Sequence, residues 1–259
     1  MEYTSSIAEP IRDAFGQFVA ATQELVESRG LLSRVDSKFV LPTARLDSLL
    51  EALAGNYAAL RVPTGVLATY ESVYFDTPSL QCFHDHRRGR RPRHKIRIRH
   101  YPDRRVSFLE VKTKRNEVVT DKHRLAIPFG HQELAASELA FLRAHVGGLA
   151  GLLRPTLTIR YRRLSLISLV DNERVTIDLD LGVQGSTEVA RRLGHLAVVE
   201  VKQSPFCVRT PVMRTLHRAR VRQRPLSKYV VALALLRPES ACNRLLPELR
   251  ALERIDRRG

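Results

Sequence analysis

The stretch HKIRIRHYP, residues 94–102, alternates apolar and basic side chains. Ile96 and Ile98 lie on one side of this pattern, and on the other side lie Lys95, Arg97, Arg99 and Tyr101. Alternation with a period of two is typical of a β-strand, because successive side chains point to opposite faces of the sheet. The isoleucines indicate that one face is buried, so the row of cations on the other face requires a separate explanation.

The same alternation occurs in several other segments, and their polar sides are rich in charged groups: residues 33–41, 107–114, 121–128, 158–166, 174–183 and 196–204. An antiparallel sheet with one solvated face explains any single segment of this kind. Closure of the sheet into a barrel instead places the polar faces around a lumen and the apolar faces against outer helices. Because so many like charges repel one another unless an anion lies among them, we expect a lumen that holds phosphates.

The charge composition also indicates an anionic partner. The 259 residues include 43 Lys and Arg against 27 Asp and Glu, which gives a formal net charge of +16. This excess suits nucleic acid, an acidic membrane surface or a phosphate-rich molecule. A basic surface without any partner is the alternative. The hydrophobic fraction of 44% is sufficient for a folded core.

The cysteines and the apolar runs indicate the compartment. Cys82, Cys207 and Cys242 are far apart and form no CxxC pair, which argues against a disulfide framework and a zinc ribbon. No stretch approaches the roughly 20 apolar residues that span a bilayer, and the best candidate, YVVALALL at 229–236, is far too short. We therefore expect a cytoplasmic protein without a transmembrane segment of its own, with peripheral association at a membrane as an option.

Helical spacing of apolar residues predicts helices at 9–28, 42–55, 132–148, within 209–222 and near 244–254. We expect one α+β domain over residues 1–259: an N-terminal helix at about 9–28, a barrel core at about 30–236 and a helical tail at about 238–259. The predicted core is a closed antiparallel β-barrel tunnel of about eight strands, with the helices packed outside it.

The run YESVYFDTPSLQCFHDHRRGRRPRHKIRIRHY, residues 70–101, resembles the VTC domain, the polyphosphate polymerase domain of vacuolar transporter chaperone proteins. That family belongs to the triphosphate tunnel metalloenzymes. Later segments match it in order: residues 108–114, 121–128, 159–166, 174–183, 198–205 and 225–235. The resemblance spans roughly residues 30–236. It implies a β-barrel tunnel with inward charged side chains, which transfers the γ-phosphate of ATP to inorganic polyphosphate.

The resemblance also implies roles for individual residues. The catalytic contacts are expected from Lys38, Arg97, Arg99, Lys112, Arg163 and Lys228. Substrate binding is expected from Lys122, Arg124, Tyr161, Arg174, Lys202 and Ser227. The carboxylate of Glu200 is expected to hold a divalent metal, Mn²⁺ or Mg²⁺, with Glu110 and Asp36 as additional ligands. The strand at 33–41 departs from the ExExK pattern of the wider superfamily, which leaves the metal role of Asp36 open.

The phosphoryl acceptor decides among the activities that such a site supports. An orthophosphate or a polyphosphate end is already anionic and needs no general base, whereas water needs a carboxylate such as Glu110 or Asp36. Polyphosphate polymerase is therefore the first interpretation. A metal-dependent triphosphatase, acting on inorganic or nucleoside triphosphates, is the alternative. A non-catalytic module that binds polyphosphate or other polyanions is the third.

Two basic segments outside the predicted strands raise the question of further partners. Residues 84–95, HDHRRGRRPRHK, are interpreted as an entrance loop that gathers nucleotide or polymer. The alternative is a nucleic-acid patch, but with 6% aromatic residues and no tryptophan the chain offers few stacking platforms. No nucleic-acid partner is expected. Residues 209–224 are interpreted as a basic helix. Its arginines either face solvent or dock on an acidic membrane or a membrane-protein partner, and the membrane complex of the eukaryotic relatives favours docking.

Overall fold

The computed structural model describes residues 14–30, 34–116, 119–185, 190–240 and 245–257. The strands are β1 (Val19–Ala20), β2 (Val35–Pro42), β3 (Tyr57–Ala59), β4 (Leu67–Asp76), β5 (Arg93–Tyr101), β6 (Val106–Lys114), β7 (Thr120–Ile127), β8 (Arg154–Ser168), β9 (Glu173–Gly185), β10 (Ala190–Leu193) and β11 (Leu196–Gln203). The helices are α1 (Gln23–Ser28), α2 (Leu46–Leu53), α3 (Gln81–Arg88), α4 (Ala136–Val146), α5 (Pro211–Arg218), α6 (Lys228–Leu236) and α7 (Leu246–Asp256). The last strand thus ends at Gln203, and helices follow it.

The main sheet is a path of eight strands in the order β2-β11-β9-β8-β4-β5-β6-β7. Every pairing along this path is antiparallel. The predicted mixture of helices with an antiparallel sheet is confirmed, and with β1, β3 and β10 joined to this path the described sheet has eleven strands. In the described part of the chain no pairing joins β2 to β7, so closure of the barrel by hydrogen bonds is not confirmed.

The apolar face of the sheet is covered by helices, as the alternation predicts. Ile96 and Ile98 are completely buried, and they pack in one cluster with Leu109 of β6 and Leu142 of α4. A second outer cluster joins the strands around β2 and β11 to α2 and α5. Burial of these aliphatic side chains supplies most of the driving force that holds the helices on this side.

The opposite face of the sheet is concave, and we call it the inner face. The ammonium group of Lys112, on β6, interacts electrostatically with Asp36 on β2 and with Glu200 on β11. These strands are far apart in the strand order but close in space. The sheet therefore curls until side chains from its two ends come close to one another. A tunnel-like arrangement is consistent with this curvature.

Helix α6 corrects the expectation that the helices all pack outside. Its side chains join a cluster with Val198, Ile159 and Val183, which lie on the inner face. Tyr229 of α6 stacks on Tyr74 of β4, with ring centroids 5.1 Å apart. The reason is visible in the sequence YVVALALL: a helix that is apolar on every side has to be buried on every side. Helix α6 therefore fills the apolar half of the inner face and leaves the charged half open.

The buried carboxylate of Asp76 fixes α3 and α6 at the end of β4. It accepts hydrogen bonds from the backbone N–H groups of Cys82, at 2.8 Å, and Phe83, at 2.9 Å, and from the Tyr229 hydroxyl. A carboxylate that receives the free N–H groups of a helix start stabilises that helix. Residues 84–88 belong to α3, so the expectation of a loop is wrong for them, and their role in gathering nucleotide or polymer stays a prediction.

The predicted N-terminal helix at 9–28 is interrupted in its described part, and residues 9–13 lie outside the described residues. Val19–Ala20 form the short strand β1, which pairs in parallel with β3. A new helix, α1, begins only after Thr22, whose Oγ1 accepts a hydrogen bond from Leu25 N at 3.2 Å. The buried rings of Phe15 and Phe18 hold this segment against the outer core. Residues 14–16 are helical, Phe18 lies in the bend that follows them, and the prediction therefore fails only for the middle of the described segment.

Candidate active site on the inner face

The structure brings most of the predicted site residues together on the inner face. Strand alternation and cross-strand register place there Asp36, Lys38, Arg97, Arg99, Glu110, Lys112, Lys122, Arg124, Tyr161, Arg163, Glu200 and Lys202. Lys228 reaches the same space from the first turn of α6. Cations outnumber carboxylates in this set, so the inner face is strongly electropositive.

Arg97, Glu110 and Lys122 form the first charged cluster. Arg97 donates to Glu110 Oε2 from Nε at 2.8 Å and from Nη2 at 2.6 Å, and Lys122 Nζ lies 2.7 Å from Glu110 Oε1. Burial acts to raise the pKa of Glu110, but attraction by Arg97, Arg99 and Lys122 prevails and lowers it to about 2. This carboxylate is therefore ionised and saturated with donors. It is a poor general base.

Arg163, Asp178 and Lys228 form a second cluster that the sequence did not predict as a unit. Arg163 Nη2 lies 2.8 Å from Asp178 Oδ2, and the same carboxylate also pairs with Lys228 Nζ. Burial opposes ionisation of Asp178, but Arg163 and Lys228 outweigh it and bring the pKa of Asp178 to about 2. Asp178 belongs to the alternating segment 174–183, whose polar side is rich in charged groups, and alternation alone gives it no special role. It anchors two of the predicted catalytic cations to neighbouring elements.

Glu200, Lys202 and Asp36 form the third cluster. Lys202 Nζ lies 2.6 Å from Glu200 Oε1 and 3.7 Å from Asp36 Oδ2. Burial works against ionisation of Glu200, yet Lys202 and Lys38 hold its pKa well below the ordinary range. Glu200 is thus a permanently charged oxygen ligand on the inner face.

A divalent metal fits this third cluster only if the substrate supplies the remaining ligands. Among the described residues, no group of three or more His, Cys, Asp or Glu side chains is arranged to hold a metal ion. Mg²⁺ and similar hard cations commonly bind through one or two carboxylates together with substrate phosphates. Glu200, with Asp36 beside it, meets that pattern. Lys202 has to yield Oε1 or share the carboxylate when the metal binds.

Several inner-face cations have no carboxylate within ion-pair distance in the described ranges, among them Lys38, Lys95, Arg99, Lys112 and Arg124. Lys95 lies directly across from Lys112, and Lys112 lies directly across from Lys122. Like charges opposite one another in a sheet are destabilising. Their arrangement is explained if an anion neutralises them.

Lys95 is the site residue that sequence reasoning missed, although it shares the alternation of Arg97 and Arg99. Burial, followed by repulsion from Lys38 and Lys112, lowers the pKa of Lys95 to about 7. A bound polyanion reverses that repulsion and raises the pKa again. Lys95 therefore takes up a proton when an anion binds above neutral pH.

We expect proton uptake on tripolyphosphate binding at pH 8, and much less uptake in Lys95→Met. Calorimetry in two buffers of different ionisation enthalpy measures it. At pH 6, where Lys95 already carries its proton, uptake at this site should vanish. The unfolded chain holds the proton up to about pH 10.5 and the folded chain releases it near 7, so stability of the free protein should rise with pH between these values. An identical pH slope in Lys95→Met would contradict this assignment.

Two predicted substrate-binding residues, Ser227 and Arg174, make structural contacts. Ser227 precedes α6, and its Oγ accepts from Val230 N at 3.5 Å, which helps to place Lys228. Arg174 donates a hydrogen bond to the carbonyl oxygen of Val26 in α1, at the edge of the inner face. Lys38, a predicted catalytic residue, also has a structural contact, because its Nζ donates to Leu226 O at 3.0 Å. Lys38 lies directly across from Glu200 in the sheet. Direct contact of Ser227 and Arg174 with substrate stays a prediction.

Comparison with known proteins agrees with this picture. The family model of the VTC domain matches residues 33–145, so the resemblance is confirmed over that range, and the later segments lie outside the match. No curated protein matches the chain. A candidate adenylyl cyclase from Hippeastrum, described as having a dominant triphosphatase activity, has a TM-score of 0.52 at 15% identity, with 82% of this chain and 98% of that chain covered.

A second solved structure, a candidate adenylate cyclase from Bacillus halodurans, has a TM-score of 0.47 at 12% identity, with 75% of this chain and 93% of that chain covered. At such identities the Hippeastrum likeness supports the fold alone.

Among the described residues, no helix has the length and apolar character needed to cross a bilayer.

Proposed function

We propose that this chain, whose residues 33–145 match the VTC domain, transfers the γ-phosphate of ATP to the end of an inorganic polyphosphate chain and releases ADP. The charged half of the inner face would hold the triphosphate. Phosphoryl transfer requires mainly positioning and neutralisation of charge, and a concave face with an excess of Arg and Lys is suited to both.

The observation that carries this proposal is the state of the inner carboxylates. Glu110, Asp178 and Glu200 each accept from one or two cations, and the pKa of each is held far below neutrality by those cations. Such groups are weak bases and do not efficiently deprotonate water. An anionic phosphate acceptor needs no deprotonation, so the site favours a phosphate end over water.

In the proposed reaction a terminal oxygen of polyphosphate attacks the γ-phosphorus of ATP. The bond between that phosphorus and the bridging oxygen of the β-phosphate breaks, and the electron pair leaves with ADP. Arg97, Arg99 and Arg163 would bind equatorial phosphate oxygens through their planar forks of donors. The lysines would neutralise the second anion: Lys38, Lys95, Lys112 and Lys228.

A divalent cation, Mn²⁺ or Mg²⁺, bound to Glu200 and to phosphate oxygens would supply further charge neutralisation. A cytoplasmic location and a membrane-protein partner stay predictions.

A triphosphatase is the second candidate, because the Asp36 side chain is 31% exposed and is the least enclosed carboxylate of the inner face. Asp36 is therefore the residue that would orient an attacking water.

Incubation of the purified protein with ATP and Mn²⁺, followed by a gel that resolves polyphosphate, tests the proposal. The account predicts a ladder of polymer lengths together with ADP. Orthophosphate as the sole phosphate product would instead establish a triphosphatase. Loss of orthophosphate release in Asp36→Asn would then identify Asp36 as the residue that orients the attacking water. Tight tripolyphosphate binding without turnover would leave a polyanion-binding module.

A further inference from the structure

Aromatic rings form a continuous row across the charged half of the inner face. Tyr161 of β8 stacks on Tyr70 of β4, with centroids 5.1 Å apart and planes 9° apart. Tyr70 contacts Tyr101 of β5 edge-on at 5.1 Å, and Tyr101 contacts Phe108 of β6 edge-on at 6.0 Å. The row therefore crosses four adjacent strands of the sheet.

Arginines lie over the rings of this row. Arg163 and Arg99 lie over Tyr70, at 4.9 and 5.4 Å from the ring centroid. Arg124 lies over Phe108 at 5.0 Å. Cation–π contacts of this kind hold a guanidinium group in position while its donors remain directed elsewhere. The row thus positions arginines at both of its ends: Arg99 and Arg163 over Tyr70, and Arg124 over Phe108.

The outer end of the row has a different environment. Tyr161 is buried, with 2% of its surface exposed, whereas Tyr101 and Phe108 keep part of their surface open. Both residues lie on the inner face, away from the aliphatic clusters that cover the outer face. Partly open rings beside cations are the usual surface for stacking a planar heterocycle.

We infer that Tyr101 and Phe108 form a nucleobase platform, which makes nucleoside triphosphates the preferred substrate class over inorganic tripolyphosphate. This inference rests on the proposed function. Tyr101 follows Arg99 by two residues on the same face of β5, which is about 7 Å along the strand. A triphosphate held by Arg97, Arg99 and Arg163 thus has its ribose and base beside the open rings. Because stacking is tolerant of base identity, we expect weak discrimination between purine bases.

The test compares the binding of ATP and of inorganic tripolyphosphate by calorimetry in the presence of a chelator, so that turnover does not interfere. Tyr101→Leu should weaken ATP binding about tenfold and leave tripolyphosphate binding within about twofold, whereas Phe108→Leu also releases Arg124 and should weaken both ligands, ATP more than tripolyphosphate. The matched control is Phe129→Leu. Phe129 is 38% exposed and lies under Arg105 at 5.3 Å, outside the row, and its replacement should change neither ligand's affinity.

Equal weakening of both ligands, or no weakening of either, would overturn the inference. Wild-type protein provides a second measurement if a variant fails to fold: magnetisation transfer from tyrosine and phenylalanine ring protons to adenine protons in bound ATP should be observed, and its absence would overturn the platform. The proposed function fails separately. A protein that makes no polymer can still lose affinity for ATP but not for tripolyphosphate when Tyr101 is replaced. An active polymerase can show the same loss of affinity for both ligands.

Discussion

Replacement of Arg99 by methionine should reduce turnover about 100-fold or more while leaving the free protein as stable as the wild type, or more stable. Arg99 donates to Ser72 Oγ at 3.3 Å and to the Tyr161 hydroxyl at 3.2 Å, which are neutral partners. Loss of one preorganised donor to a transition state commonly costs a factor of 10² to 10³. Removal of one of several crowded cations relieves repulsion in the free protein. Steady-state kinetics and thermal unfolding measure the two effects.

Arg160→Met is the matched control for this substitution. Arg160 is also a strand arginine, but it lies on the other face of β8 and pairs with Glu71 at 2.8 Å. Its replacement should leave turnover unchanged.

Arg97→Ala should resemble Arg99→Met in activity but lose some stability, because Glu110 keeps only Lys122 as an ion-pair partner. Unfolding of Arg99→Met, or full activity in it, would show that Arg99 has a structural role.

Glu200→Gln should reduce metal-dependent turnover about 100-fold and retain tripolyphosphate binding. The substitution keeps the size of the side chain and removes the charged oxygen that a hard cation prefers. It also frees Lys202, which lies 2.6 Å from Glu200, to bind phosphate. In the absence of metal, tripolyphosphate should therefore bind at least as tightly as to wild type. Turnover at several Mn²⁺ concentrations, together with calorimetry in a chelator, distinguishes these effects.

Glu71→Gln is the corresponding control, because Glu71 is an ion-paired carboxylate outside the inner face. It should leave the metal dependence unaltered. Equal turnover of the wild type in chelator and in Mn²⁺ would remove the metal from the mechanism. Reduced tripolyphosphate binding in metal-free Glu200→Gln would show instead that Glu200 organises the cations.

The sequence predicted the inner face well because strand periodicity is a local property. Alternation along 94–101 and 107–114 is enough to assign Arg97, Glu110 and Lys112 to one side and Ile96 to the other. The antiparallel sheet and its approximate strand number follow from the repetition of such segments. The VTC resemblance then supplied the expected roles.

The remaining features depend on contacts between distant segments. Opposition of Lys95 and Lys112 requires the register of β5 on β6, which alternation does not specify. The burial of α6 inside the sheet depends on tertiary packing, although its uniformly apolar sequence was a signal. Asp178 gained its importance from two cations that approach it from β8 and from α6. Closure of the barrel depends on whether the edge strands β2 and β7 pair with each other, and the periodicity of each strand gives no information about that pairing.

The most direct test of the central claim, that the inner face binds a narrow phosphate chain, is thermal protection by inorganic tripolyphosphate compared with duplex DNA at equal phosphate concentration and moderate salt. At a hundredfold excess over its Kd, tripolyphosphate should raise the Tm by about 5 °C or more, and DNA should raise it much less, because an eight-stranded sheet curled on itself has no room for a duplex. Lys112→Ala should lose most of the protection. Equal protection by DNA that persists in Lys112→Ala would contradict the account and assign the charge to the outer surface.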